Sequence, residues 1–515
     1  MRIPGRATAA LAAALLTVSL SWAPSAGADD PAPGVTDLVQ DLDAILGASW
    51  LTPARAGVVV RDARTGEQLY AQDPGKVFLP ASNTKLLTSA AALDTLGTGY
   101  RFTTSVLGSG RRAGSALAGD LYLKGTGDPT MLAADYDALA AKVAASGVKL
   151  VTGRLVADDT WFDDVRLGTD WAQDDEPYYY AAQISALTAA PDTDYDAGSV
   201  IVSVAPGGTA GAAAKVTTRP ATHHVTIENR ATTGTATDVT VTRVHGTNRI
   251  VVTGTVAETY EEWIAVDDPT GYAASLFRDA LAKHGVRVLG RTARGATPAG
   301  ASQLADRASM PLSELLVPFM KLSNNMHAEI LTKAMGRKVS GQGTWDAGLA
   351  VTTAFAKANG LATVRLRDGS GLSRLDGFTP GELTAYLIAL RAKPWFTTWY
   401  DALPIAGEAD RFTGGTLRSR MRGTAAAGNV HAKTGSLTSV SGLSGYVTSA
   451  DGEPLVFSVL TNNHLTGSPR TIEDAIAVRL AQFKRDTPVN VAQLRTAAPP
   501  QDQDLECSWL KPAPC

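Results

Sequence analysis

Two blocks that read as core lie at opposite ends of this chain, and a stretch of different composition separates them. Near the start, Val58 to Tyr70 alternates around Arg64-Thr65-Gly66, the pattern of a β-hairpin. Pro80 follows, and then an apolar run, Thr84 to Leu96, that reads as a helix. Near the end, His431–Thr438, Ser441–Thr448 and Leu455–Asn462 read as strands, and Ser468 to Lys484 as a helix. From about 196 to 256, Thr, Val, Gly and Ala dominate. Short apolar runs there (Val216-Thr217-Thr218, His224 to Ile227, Val239 to Thr242, Ile250-Val251-Val252) recur at roughly 10-residue spacing, the signal of a small all-β module. Ala133–Ser146, Pro269–His284 and Leu312–Asn359 carry helical patterns, and Leu150–Val156 reads as one strand. Gly125-Thr126-Gly127-Asp128 lacks the third glycine of a dinucleotide loop and reads as a turn. The order predicts a domain split by an insertion. Its halves are 29–100 and 308–485. The inserted domain is 101–195 with 257–307, a small β domain at 196–256 nests within it, and 486–515 is a linker and tail.

The N-terminus reads as an export signal. Arg2 and Arg6 form a positive segment, Ala9 to Trp22 an apolar one, and Ala26-Gly27-Ala28 supplies small residues for cleavage, so 1–28 is the expected signal peptide. Fourteen apolar residues are too few to span a bilayer comfortably, and no later stretch reads as a transmembrane helix. Removing the signal removes two arginines and no acid, taking the net charge from −3 to −5. That excludes the basic footprint of a nucleic-acid binder. The two cysteines, Cys507 and Cys515, lie close together in the tail of an exported chain, which predicts one local disulfide. Two free thiols on a frayed tail are the other reading.

Three short motifs carry chemistry. Ser82-Asn83-Thr84-Lys85 puts a serine and a lysine one helical turn apart, on one face. Serine needs a base to become a nucleophile, and lysine can be that base where burial lowers its pKa. The run after Lys85 has no charge until Asp94, so the helix is expected to be buried. Taken alone, a helix N-cap with an exposed lysine explains the motif as well. The same spacing recurs at Ser146–Lys149, read as a surface turn, and at Ser508–Lys511, in the tail. Ser323-Asn324-Asn325 lies between helical runs, where a loop or N-cap is the plain alternative. Lys433-Thr434-Gly435 opens a strand, with Lys433 and Gly435 on one face; an edge-strand lysine before a turn glycine is the alternative there.

Together and in this order, S-x-x-K, S-x-N and K-T-G resemble the set shared by penicillin-binding proteins and serine β-lactamases. Ser82 and Ser323 stand 241 residues apart. That gap is similar to the class C penicillin-binding proteins, the D-Ala-D-Ala carboxypeptidase/endopeptidase family (peptidase family S13). Further matches are Gly125 to Thr130, Asp368 to Arg374, Leu403 to Gly407 and Ser441 to Tyr446; the resemblance spans nearly all of 35–485 but not the tail.

The resemblance implies an α+β multidomain fold with a penicillin-recognising (β-lactamase/transpeptidase-like) catalytic domain, an antiparallel sheet flanked by helices, split by a large strand-rich insertion. It implies a serine D-Ala-D-Ala carboxypeptidase, possible also as an endopeptidase, acting on peptidoglycan stem peptides through an acyl-serine and acylated by β-lactams. Ser82 is then the nucleophile and Lys85 the general base. Ser323 relays a proton to the leaving amine, and Asn325 holds the peptide amide. Lys433 supplies positive charge, Thr434 and Ser436 bind the terminal carboxylate, and Gly435 leaves room for the ligand. The backbone N–H groups of Ser82 and Ser436 form the oxyanion hole. Arg374, Asp175 and Tyr180 contact the stem-peptide side chain, or else are ordinary surface polar residues. No cofactor is implied. None of the seven histidines forms a zinc pattern, so no metal is expected. His431 is expected to pack against the sheet, and His223-His224 to sit exposed on a strand. A β-lactamase or esterase on the same fold, or a wall-binding protein with a dead site, are the competing readings.

Overall fold

The computed structural model describes residues 31–465, 469–489 and 511. The expected signal peptide, Cys507 and Cys515 lie outside the described residues.

The two ends of the chain meet in one sheet. Its strands are β1 (Arg55–Asp62), β2 (Gln68–Gln72), β3 (His431–Leu437), β4 (Val440–Thr448) and β5 (Pro454–Asn462), in the order β3-β4-β5-β1-β2. Every pair is antiparallel, and β1 runs against β5 with Val58 opposite Val459. β5 alternates between two cores, as the two-residue period of a strand requires. Leu455, Phe457 and Val459 face a core with Leu38 and Leu42 of α1 (Pro33–Leu46) and Ile472, Ile476 and Leu480 of α4 (Arg470–Gln482). Val456 and Leu460 face the opposite core, with Leu86, Leu87 and Ala90 of α2 (Thr84–Leu96). A strand buried on both faces needs an apolar run, and Leu455-Val456-Phe457 with Val459-Leu460 supplies it.

α2 is buried from Thr84 through Leu93. After Lys85 the helix carries no charge until Asp94, which is why this length of it can sit inside the protein. Its last turn closes on Gly97, at φ +86°.

Residues 103–308 build four further sheets. The largest runs Thr292–Arg294, Leu155–Asp158, Leu121–Gly125, Thr103–Gly108, Ser302–Ala308. Two sequence expectations differ from the structure here. Leu150–Val156 is not one strand. It breaks at Thr152-Gly153, and its halves, Leu150–Val151 and Leu155–Asp158, join different sheets. The break sits where Gly153 closes on the Gly119 carbonyl, so near that a Cβ would stand 2.5 Å from it. Strand pairing also runs past the expected edge at residue 256. Tyr260–Ala265 pairs with Ser199–Ala205. Glu261 and Glu262 gave that strand a polar look, but Trp263, Ile264 and Ala265 are buried. His223 is exposed as expected, but it and His224 precede the strand Thr226–Asn229 and do not lie on it. His224 is half-buried, with its Nε2 2.8 Å from the Asp267 carbonyl oxygen.

Candidate active site

The site gathers where the head of α2, the loop before α3 (Asn325–Ser340) and the edge strand β3 converge. Ser82 lies in a single 3₁₀ turn, Ala81–Asn83, just ahead of α2. Its hydroxyl does not cap the helix. The Lys85 ammonium lies 2.7 Å from Ser82 Oγ and 2.8 Å from the carbonyl oxygen of Ser370. Both Ser82 and Lys85 are buried, so the exposed lysine of a plain N-cap is not what this sequence makes.

Ser323 lies between the helix Leu312–Lys321 and α3, and its hydroxyl meets Lys433 Nζ at 2.8 Å. The N-cap of α3 is its neighbour Asn324, which accepts from the His327 backbone N–H at 3.2 Å. Asn325 donates to the Tyr180 carbonyl at 2.7 Å, while its Oδ1 is buried without a hydrogen-bond partner among the described residues. Lys433 does lie on the edge strand, yet it is fully buried, and it also donates to the Thr434 carbonyl at 2.9 Å. The site thus contains two buried serine–lysine pairs.

Backbone geometry holds the pairs in place. Ala81 and Ser323 adopt φ values of +47° and +57°. Such angles cost a non-glycine residue about 1–3 kcal/mol and persist only where surrounding contacts enforce them. Both flank a site serine or are one. Gly435 passes directly over the Ser82 turn. A Cβ there would stand 2.7 Å from the Pro80 carbonyl oxygen and 3.2 Å from the Ser82 backbone nitrogen. Only a glycine lets β3 approach this closely.

The remaining sequence candidates fall around this centre. Thr434 Oγ1 donates to Thr416 Oγ1 at 2.8 Å, and Arg470 donates to Ser436 Oγ at 3.3 Å. The Tyr180 hydroxyl donates to Asp175 at 3.0 Å. Burial pushes the Asp175 carboxyl above the usual carboxylate range, partly offset by that bond and by the charge of nearby Arg374. Arg374 is exposed and donates to the Thr438 carbonyl at 2.9 Å. Asp175, Tyr180 and Arg374 are therefore grouped with one another, and the Tyr180 backbone ties the group to Asn325. His431 stacks on Tyr400, ring centres 4.2 Å apart, which is a packing contact.

The sequence marks Asp368–Arg374 as a family match but does not show that its Ser370 carbonyl holds Lys85. Three buried carboxylates shape this loop. Glu329 accepts from the Gly369, Ser370 and Trp345 N–H groups at 2.9, 2.8 and 2.7 Å. Asp368 accepts from the Gly371 and Ser373 backbones, both at 2.7 Å. Asp376 accepts from the Arg367 backbone at 2.6 Å and from Thr84 Oγ1 at 3.1 Å. Together they aim the Ser370 carbonyl at Lys85. Burial, with Asp368 adding repulsion, raises Glu329 to about 7 and pushes Asp376 well above its ordinary range.

A carboxyl raised above its unfolded value binds its proton more tightly in the folded state, so folding stability falls as pH rises through that window. For Glu329 the window runs from 4.5 to about 7, and Asp376 acts in the same direction. These carboxyls lower the thermal midpoint between pH 5 and pH 8, while His327, which burial lowers to about 4, acts in the opposite direction up to about pH 6.5. Glu329→Gln should flatten part of that slope while losing some stability at pH 5. A Glu329→Gln slope no flatter than that of the wild type would contradict the assignment.

The model of the family described as D-Ala-D-Ala carboxypeptidase 3 (S13) matches residues 38–483. The chain belongs to this family. It is a serine-type D-Ala-D-Ala carboxypeptidase with the penicillin-recognising α+β fold. It is 46% identical to a D-alanyl-D-alanine carboxypeptidase of Actinomadura sp. (strain R39) over 526 aligned positions, covering 99% of this chain and 97% of that protein. It is 26% identical to the D-alanyl-D-alanine carboxypeptidase DacB of Haemophilus influenzae, across 93% of this chain and 96% of that one. The crystal structure of penicillin binding protein 4 (dacB) from Haemophilus influenzae superposes with a TM-score of 0.74 at 25% identity, covering 87% of this chain and 99% of that one.

Proposed function

We propose that this carboxypeptidase works through an acyl-serine on Ser82 and trims the terminal D-Ala from peptidoglycan stem peptides. The observation that carries the reading is the pair of buried serine–lysine contacts: Lys85 with Ser82 at 2.7 Å, and Lys433 with Ser323 at 2.8 Å. Lys85 takes the Ser82 proton as Oγ attacks the carbonyl of the penultimate D-Ala. The developing oxyanion lies against the backbone N–H groups of Ser82 and Ser436. Ser323, beside Lys433, passes a proton to the departing amine as the C–N bond breaks, and D-Ala leaves. The proton that Lys85 took from Ser82 then replaces the one Ser323 gave up; water adds to the acyl-enzyme, neutral Lys85 takes its proton, and Lys85 returns that proton to Ser82 Oγ as the ester is cleaved. Lys433, Thr434 and Ser436 hold the terminal carboxylate, Arg470 reinforces Ser436, and Asn325 grips the peptide amide through its unpartnered Oδ1. Asp175, Tyr180 and Arg374 receive the stem-peptide side chain.

In this reading the insertion divides the catalytic domain into 29–100 and 308–485, and the pairing of β1 with β5 supports it. The protein is exported after loss of 1–28 and carries a Cys507–Cys515 disulfide in its tail. No helix among the described residues is long and apolar enough to cross a membrane.

The experiment is intact-protein mass spectrometry with and without benzylpenicillin, paired with an assay of D-Ala release from a diacetyl-Lys-D-Ala-D-Ala peptide. One penicilloyl group per chain, and release that this adduct blocks, are expected. Release that continues in fully acylated protein would overturn the reading.

A further inference from the structure

Asp175 sits on an exposed turn, and one buried residue ties that turn down. From Ala172 to Tyr178 only Glu176 is buried. The 3₁₀ turn Gln173–Asp175 lies just ahead of it, and none of its own residues is buried. A surface turn with so little packing keeps one position only where hydrogen bonds fix it.

The bonds come from the insertion. The strands Asp238–Arg243 and Arg249–Val256 pair antiparallel, with Arg243 opposite Ile250, and residues 244–248 join them. This end of the hairpin grips Glu176. Arg243 Nη2 donates to Glu176 Oε1 at 2.9 Å and to the Glu176 carbonyl at 3.0 Å, while its Nη1 donates to the Thr247 carbonyl at 2.9 Å. The Gly246 N–H donates to the same Oε1 at 3.4 Å. His245 pairs through Nδ1 with the other carboxylate oxygen, and its Nε2 stands 3.3 Å from the side-chain nitrogen of Gln173. The turn is thus held on both sides of Asp175, by His245 at Gln173 and by Arg243 at Glu176.

The ion pair at the centre of this clasp is out of solvent. The Arg243 side chain is fully buried and that of Glu176 is 6% exposed. Burying an ion pair adds little net stability over apolar packing, and its best-attested use is to fix one arrangement among several. Here the arrangement is that of the segment carrying Asp175 and Tyr180. Further along, the Ala265 N–H donates to the Pro177 carbonyl at 2.9 Å. Tyr180 then donates to Asp175 at 3.0 Å, and its carbonyl accepts from Asn325 at 2.7 Å. A continuous chain of bonds therefore runs from the hairpin to the edge of the catalytic centre.

We propose that Arg243 is a positioning residue for substrate selection: by gripping Glu176, it holds Asp175 and Tyr180 where the stem-peptide side chain meets them. The inference deepens the peptidase reading above and rests on its assignment of Asp175 and Tyr180. Lys85 is held separately, by Ser82 and the Ser370 carbonyl. Loosening the clasp therefore weakens the choice between peptides and leaves the chemistry at Ser82 in place.

The test compares the full chain with Arg243→Met, Arg243→Lys and Asp175→Asn. Two peptides are used, acetyl-Lys-D-Ala-D-Ala with a free side-chain amine and acetyl-Ala-D-Ala-D-Ala. Arg243→Met removes the cation and keeps an apolar stem. It should raise KM for the lysine peptide about tenfold, the factor worth about 1.4 kcal/mol. The kcat for that peptide, both constants for the alanine peptide and the rate of acylation by benzylpenicillin should stay unchanged. Arg243→Lys, which keeps a cation for Glu176, should fall between wild type and Arg243→Met. Amide hydrogen exchange in Arg243→Met should quicken across 173–180 and not in α2. Equal losses on both peptides would make Arg243 a merely structural residue and overturn the proposal. An unchanged KM for the lysine peptide, in a variant whose turn exchanges faster, would overturn it too. Should Arg243→Met not fold, Glu176→Gln, which keeps the volume, takes its place with the same expected split. If Asp175→Asn treats the two peptides as the wild type does, the assignment of Asp175 fails, and selection through the clasp fails with it. If the wild type hydrolyses neither peptide, the peptidase reading fails and takes the proposal with it, whereas unchanged exchange across 173–180 in Arg243→Met refutes the clasp alone.

Discussion

Ser82→Ala is expected to abolish both D-Ala release and penicilloylation, leaving the fold intact. The substitution removes a single oxygen. That oxygen takes no part in helix capping and lies 2.7 Å from Lys85 Nζ. Its loss leaves a buried ammonium with the Ser370 carbonyl still in place at 2.8 Å, so the thermal midpoint should shift little. Activity should fall by a factor of roughly 10⁴ or more, since a covalent route has no substitute for its nucleophile. The measurement is intact mass after benzylpenicillin, with peptide mapping of any adduct in wild type. An adduct mapping to Ser146 or Ser323, or one that persists in Ser82→Ala, removes Ser82 from the mechanism. Ser146 is a useful internal contrast, because it heads an identical tetrad. There it only closes the helix Ala133–Ala145, beside Gly147 at φ +85°.

How much of this was legible in the sequence follows from how far each feature depends on local order. The strands of the central sheet are short apolar runs, and α2 has no charge between Lys85 and Asp94, so both elements could be read before their neighbours were known. The S-x-x-K spacing works in the same way, since one helical turn is a local fact. What the sequence did not display is which acids are buried. Glu329, Asp368 and Asp376 look like ordinary polar residues in loops and helices. Their function as a clamp on the Ser370 carbonyl depends on backbone N–H groups that converge only in the folded chain. Lys511 makes the same point from the other side. It sits in a chance copy of S-x-x-K, and its measurable partners, Asp194 and Asp196, lie more than three hundred residues away. The strand Tyr260–Ala265 was missed because two glutamates mask a short apolar end that is buried only once Ser199–Ala205 lies beside it.

Lys85→Arg is expected to cut kcat/KM for acyl-D-Ala-D-Ala by a factor of roughly 10² or more, because a guanidinium keeps the charge but holds its proton at any working pH. Lys85 is within hydrogen-bond reach of the Ser82 oxygen, the first requirement for a base. The Ser370 carbonyl, 2.8 Å from Lys85 Nζ, accepts a hydrogen bond and cannot take over proton removal. The clamp of Glu329, Asp368 and Asp376 keeps that carbonyl in position, so the lysine should point at Ser82 throughout the cycle. Lys433→Arg should be milder. Lys433 meets Ser323 and the Thr434 carbonyl, and a cation near the substrate carboxylate survives the change. Its effect is expected mainly in KM, whereas Lys85→Arg should slow acylation itself, by peptide and by benzylpenicillin alike. Both lysines are fully buried, so circular dichroism and thermal midpoints must accompany the kinetics, to separate a lost base from a core strained by the larger side chain. Near-normal turnover in a folded Lys85→Arg, with Lys433→Arg inactive, would move the base. The proton would then leave Ser82 through Ser323 and Lys433, and Lys85 would serve only as a fixed charge beneath the nucleophile.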